Sequence, residues 1–142
     1  PPPPTDIYTL GRSSAASDVY KRQTPNLPEA ARLLGKAAIA PGEERAAATA
    51  LLELGWQAVL LKGGHGQGEA CVDHLVGPDG AQAFSRPRLA GPTLRGTGCT
   101  LAAAIAAHLG RGMQLAEAVE GAGDWLHEQI ARAHAAGART LL

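Results

Sequence analysis

The chain has 142 residues, 45% of them apolar, with a formal net charge of zero. One domain of ordinary size is allowed, and the lack of any Lys or Arg run removes the basic stripe that a nucleic-acid partner needs. No apolar stretch approaches the ~20 residues that span a bilayer, and Cys71 and Cys99 stand far apart without metal-ligand spacing, so a reduced, cytoplasmic protein is expected.

Pro1 to Gln23 opens with four prolines and continues as a polar mixture without a sustained period. Such starts are extended and pack poorly. Ser13 to Gln23 resembles a translated sequencing adapter, so residues 1–23 are expected to be disordered or non-native and are set apart from the fold. Residues 24–142 form the expected folded part.

Pro28 to Leu34 predicts a short helix, with proline in its first turn and Gly35 as the stop. A second helix is predicted from Pro41 to about Leu54, with Glu43 and Glu44 near its positive end and Gly55 closing it. Ala58-Val59-Leu60-Leu61 is a continuous apolar run and predicts a strand buried on both faces, as in a parallel sheet under helices. Lys62 to Gly68 is a glycine-rich loop. Glu69–Val76 and Ala81–Ser85 then predict a hairpin around Pro78-Asp79-Gly80. After an irregular connection, Gly98 to about Leu109 predicts an Ala-rich helix, apolar nearly all round and therefore buried. A last helix starts near Leu115 and carries Leu115, Ala118, Val119, Ala122, Leu126 and Ile130 on its apolar stripe. Few aromatics and much Ala, Leu and Val favour helices against a small sheet, an α/β class, over an all-β barrel.

The chemistry concentrates at Arg95-Gly96-Thr97-Gly98-Cys99-Thr100, which leads directly into the Ala-rich helix. The first N–H groups of a helix lack intrahelical partners. Glycines let several such donors converge, and the helix dipole favours an anion there. The turn thus suits a phosphate, or the charge that develops in phosphoryl transfer. It is neither the dinucleotide fingerprint nor a Walker loop. The same glycines serve equally well as a helix cap and packing device, and on these residues alone both readings stand. Cys99 is either a base or polar contact facing an acceptor, or a small inert residue.

Four segments together resemble the hydroxymethylpyrimidine/phosphomethylpyrimidine kinases of thiamin biosynthesis, a branch of the ribokinase-like superfamily. They are Thr24-Pro25-Asn26-Leu27-Pro28-Glu29-Ala30, Leu61-Lys62-Gly63-Gly64-His65, Val72-Asp73-His74-Leu75 and Arg95-Gly96-Thr97-Gly98-Cys99-Thr100-Leu101. The resemblance runs from Thr24 to about Ile130 and implies the C-terminal half of a ribokinase-like three-layer α/β fold, with a short, mostly parallel sheet, flanking helices and one hairpin. It implies ATP and Mg²⁺ as cofactors and a small pyrimidine as substrate, with no nucleic-acid or membrane partner and a homodimeric parent. Asn26 and Glu29 match the Asn-x-x-Glu motif that organises Mg²⁺ and its waters. Lys62, with Gly63 and Gly64, matches a nucleotide-contacting segment, and His65 follows with a weaker case. Gly96, Thr97, Gly98 and Cys99 match the anion hole, with Cys99 where many superfamily members carry a catalytic Asp.

The implied activity is ATP-dependent phosphorylation of 4-amino-5-hydroxymethyl-2-methylpyrimidine and its monophosphate. A pyridoxal or pyridoxine kinase is the runner-up, and Cys99 speaks for the pyrimidine branch. A third reading is a non-catalytic nucleotide- or phosphate-binding fragment of a larger fusion. The family's N-terminal half, which holds most of the acceptor pocket, has no counterpart before Thr24, so the isolated chain is expected to lack kinase activity.

Overall fold

A computed structural model describes residues 22–64, 66 and 68–141. They divide into two compact units, one ending at Pro87 and the other beginning at Arg88, where the sequence reading had a single folded part. Residues 1–21 of the leading segment, and His65, lie outside the described residues.

The first unit is built on a sheet of order β1-β2-β3-β4. Strand β1 is Arg22–Gln23, β2 is Ala58–Leu61, β3 is Ala70–Gly77 and β4 is Gly80–Pro87. Arg22 and Gln23, assigned by sequence to the leading segment, thus belong to the sheet, and Gln23 is only 2% exposed. Strand β2 lies where the apolar run predicted, and all four of its residues are buried.

The α/β class holds, and β3 and β4 form the expected hairpin, pairing from Ala70↔Pro87 to Gly77↔Gly80 around Pro78-Asp79. The expectation of a mostly parallel sheet is corrected. Among the described strands only β1 and β2 run parallel, with Arg22 opposite Ala58 and Gln23 opposite Val59. Strand β3 returns antiparallel to β2, pairing Leu61 with His74. Connection length explains the difference. A parallel return needs a crossover of a dozen or more residues. Residues 24–57 between β1 and β2 provide one, whereas the loop between β2 and β3 is too short.

That crossover carries helices α1 (Leu27–Leu33) and α2 (Glu44–Leu52). Helix α1 ends in a Schellman motif: Lys36 N–H donates to Ala31 O at 2.8 Å and Gly35 N–H to Arg32 O at 3.2 Å, with Gly35 at φ 66°. Helix α2 starts later than Pro41 because Pro41-Gly42 forms a turn with Gly42 at φ 91°. There the acidic side chains cap turn amides, Glu44 accepting from Gly42 N–H at 2.7 Å. The core joins Ala30 and Ala31 of α1, Ala47, Ala48 and Leu51 of α2, and Val59, Leu61 and Val76 of the sheet, closed by Ile39 and Trp56. The alanines let helix backbones come close to the sheet, so each of the few large side chains carries much of the packing. Truncating the fully buried Leu51 to Ala would cost about 2–5 kcal/mol.

The second unit pairs helices α3 (Thr97–Gly110) and α4 (Leu115–Ala135). Ala118, Val119, Ala122, Gly123 and Leu126 of α4 are buried, as the stripe predicted for most of them; Gly123 adds to it, while Leu115 and Ile130 are half-buried. Helix α3 is less buried than its composition suggested. Only Leu101 and Ile105 are inaccessible, because alanine covers little surface and α4 is its one helical partner within the unit.

Candidate phosphate and nucleotide site

In the first unit the chain leaves β1 through Thr24-Pro25 and enters α1 at Asn26. Asn26 bridges Lys62 in parallel register, and Lys62 N–H donates to Pro25 O at 2.9 Å. The structure thereby brings Asn26, Glu29, Lys62 and Gly63 to the carboxyl ends of two adjacent parallel strands, the place where open α/β sheets accept ligands.

The Asn-x-x-Glu spacing has a local cause. Asn26 Oδ1 accepts from Glu29 N–H at 2.8 Å, and a Glu29 carboxylate oxygen accepts from Asn26 N–H at 2.9 Å. This is a capping box, which satisfies two otherwise orphaned amides at the start of α1. The cap engages one Glu29 oxygen and leaves the other uncommitted by it. No group of three or more His, Cys, Asp or Glu side chains able to enclose a metal occurs among the described residues. That donor set suits Mg²⁺, which keeps several waters and takes one or two carboxylates besides phosphate oxygens. It does not suit a dedicated protein cage.

The loop after β2 is anchored from below. Gly63 is buried, and a Cβ there would lie 2.0 Å from the Val72 carbonyl oxygen, so no side chain fits. Gly63 N–H donates to Asp73 Oδ1 at 2.8 Å. The other Asp73 oxygen is 3.6 Å from the Arg86 guanidinium, and both side chains are 13% exposed. Burial pushes the Asp73 carboxyl above its ordinary value of 3.8, against the opposing pull of the Gly63 amide and the Arg86, Lys62 and His74 charges. Gly64, by contrast, is exposed, with open space where a Cβ would stand.

The second unit holds the glycine turn. Gly96 is the N-cap of α3 in the left-handed region, φ 87°, where glycine alone is comfortable, and no side chain caps the helix. The first intrahelical bond is Thr100 N–H to Gly96 O at 3.0 Å, reinforced by the Thr100 hydroxyl at 2.7 Å. The N–H groups of Thr97, Gly98 and Cys99 therefore precede the helical ladder, as an anion site requires. Cys99 is exposed. The turn is held by its flank: Arg95 N–H donates to Arg139 O at 3.2 Å and Leu141 N–H to Arg95 O at 3.1 Å.

Asp73, which holds the loop backbone, is not among the site residues expected from the sequence. Its segment carries the family resemblance, and one acidic residue amid a mostly apolar strand was the available signal. Its partner, Gly63, is ten residues away and visible only once β3 folds back.

The mixed α/β sheet and its likeness to solved kinases define the class: a ribokinase-like kinase fold. Among solved structures, the pyridoxal kinase from Staphylococcus aureus in complex with AMP-PCP and pyridoxal aligns at a TM-score of 0.71 and 29% identity, covering 80% of this chain and 43% of that one. The phosphomethylpyrimidine kinase from Clostridium difficile 630 aligns at a TM-score of 0.61 and 33% identity, covering 78% and 43%. The hydroxymethylpyrimidine/phosphomethylpyrimidine kinase of Salmonella typhimurium is 44% identical over 111 residues, 78% of this chain and 42% of that protein. The profile of the phosphomethylpyrimidine kinase family matches residues 19–141, and the chain belongs to that family. It spans less than half the length of these relatives.

Proposed function

We propose that the chain supplies the nucleotide and phosphate side of an ATP-dependent kinase that phosphorylates 4-amino-5-hydroxymethyl-2-methylpyrimidine and its monophosphate. The observation that carries the reading is the junction of Asn26, Glu29 and Lys62 at the carboxyl ends of β1 and β2. Lys62, with the Gly63-Gly64 backbone, faces the nucleotide phosphates as a point charge. When bound, Mg²⁺ would neutralise phosphate charge, and Glu29 and Asn26 would hold its waters. The amides of Thr97, Gly98 and Cys99 stabilise the charge on the transferred group. When the acceptor is the monophosphate it is already anionic, so Cys99 has no proton to remove and positioning suffices. When it is the hydroxymethyl group, Cys99 Sγ is the group placed to take up the hydroxyl proton as the new phosphate ester bond forms.

A pyridoxal kinase is the second reading, favoured by the backbone likeness to the Staphylococcus aureus enzyme. Cys99 in the turn and the identity to the Salmonella kinase favour the pyrimidine. On the family resemblance the assembly is a homodimer, to be read by sedimentation. Among the described residues no helix is long and apolar enough to cross a membrane, and a cytoplasmic site of action fits Cys71 and Cys99, which stand outside any disulfide.

The test is a segment exchange. The Salmonella kinase carrying residues 24–141 of this chain in place of its own matching segment is expected to convert the pyrimidine monophosphate to the diphosphate with Mg²⁺ and ATP. A folded exchange protein that turns over pyridoxal and not the pyrimidine contradicts the proposal.

A further inference from the structure

Asp73 is a part-buried ionisable group that the proposed chemistry leaves without a role. It sits on β3 opposite Phe84 of β4, and its two carboxylate oxygens reach in different directions, one to Gly63 N–H at 2.8 Å and the other toward Arg86 at 3.6 Å. Holding a carboxylate at 13% exposure is costly unless its charge and lone pairs are engaged. A neutral acceptor could satisfy one glycine amide at lower cost. What the carboxylate adds is a charge-assisted bond to the loop backbone and a negative charge close enough to Lys62 for the two to interact.

The steric evidence agrees independently. Gly63 runs so close to Val72 that the loop backbone touches the β3 backbone directly, and nothing but glycine fits. The loop leaving β2 is therefore pressed onto β3 and fastened there, immediately after Lys62. Lys62 itself is fixed on its other side by the bond from its N–H to Pro25 O. We infer that Asp73, braced by Arg86, is a positioning residue that fixes the backbone of Lys62-Gly63-Gly64 for contact with a nucleotide polyphosphate. This rests on the nucleotide reading of that loop. Asp73 touches no substrate in this account and acts through Gly63.

The test uses the 142-residue chain and the Mg²⁺ complex of AMP-PCP, titrated calorimetrically against wild type, Lys62→Ala, Asp73→Ala, Asp73→Asn and Asp73→Glu, with the Gly63 amide followed by NMR. Asn keeps an oxygen for the Gly63 N–H, Ala removes it and Glu displaces it by one methylene. Affinity is expected to fall about tenfold or more in Asp73→Ala, as for loss of one charge-assisted bond, and to recover to within about threefold in Asp73→Asn. The Gly63 amide should move in the Ala variant and stay near its wild-type position in the Asn variant. Should the Ala variant fail to fold, Asp73→Glu carries the test, with an expected loss of about fivefold. Wild-type affinity in folded Asp73→Ala or Asp73→Glu, alongside a loss in Lys62→Ala, overturns the role of Asp73 alone. A wild-type chain that takes up no nucleotide overturns the loop reading as well.

Discussion

Replacing Gly63 by alanine tests the anchoring of the loop with an internal control one residue away. The new Cβ would lie 2.0 Å from Val72 O, 2.8 Å from Val72 C and 2.9 Å from Val72 N. All three are backbone atoms of a paired strand and cannot swing aside as a flexible side chain could. Either β3 shifts or the loop lifts, and lifting breaks the bond to Asp73. Overpacking of this kind costs about 1–3 kcal/mol. Loss of a hydrogen bond to a charged group adds about 1.5–3 kcal/mol. The expected destabilisation is therefore about 2.5–6 kcal/mol. Gly64→Ala meets nothing within 4 Å and should stay within about 0.5 kcal/mol of wild type. The assay is urea denaturation followed by Trp56, a core residue of the first unit, in a Trp125→Phe background that leaves it the sole tryptophan. Equal midpoints for the two alanine variants would refute the packing argument.

Gln23 is buried with its side-chain oxygen unpaired among the described residues, so Gln23→Leu should raise stability by about 1–3 kcal/mol, and a lower urea midpoint would contradict this. Glu29→Gln keeps the capping box. It should hold stability within about 0.5 kcal/mol while weakening Mg²⁺-dependent nucleotide uptake; equal calorimetric affinities would leave Glu29 a cap alone. The folded-state pKa of Asp73 lies above its ordinary 3.8, so its contribution to stability is full below that value and is lost as pH rises through the raised one. Asn mimics the neutral acid, so the melting temperature of Asp73→Asn relative to wild type should be highest near neutral pH and fall as pH drops toward 3.8; a difference that rises on acidification would contradict the burial argument.

Features set by local chemistry were legible in the sequence. The apolar run of β2, the Gly35 stop, the Pro78-Asp79 turn and the glycine cap of α3 each follow from a few adjacent residues. The short loop after Leu61 requires an antiparallel return, whereas burial on both faces suggests a parallel strand. The flanks of β2 are closed by β1 and β3, and its Val59 and Leu61 pack against α1 and α2, whatever the strand direction. The Asp73–Gly63 bond joins residues that only the folded sheet brings together, and no period or motif encodes it. The burial of Gln23 was hidden for a different reason. Its strand has two residues and a polar sequence, and it is held by pairing with β2 rather than by its own pattern. Helix α3 begins at the glycine turn as expected, although it is less enclosed than an alanine-rich sequence suggests.

The most direct measurement is an NMR titration of the chain with AMP-PCP and Mg²⁺, following the amides of Thr97, Gly98 and Cys99 together with Gly63. A phosphate site predicts saturable shifts at the three turn amides and at Gly63, both dependent on Mg²⁺. Turn amides that stay in place while the helix remains folded would show that the glycines only cap α3, and would contradict the phosphoryl-transfer account.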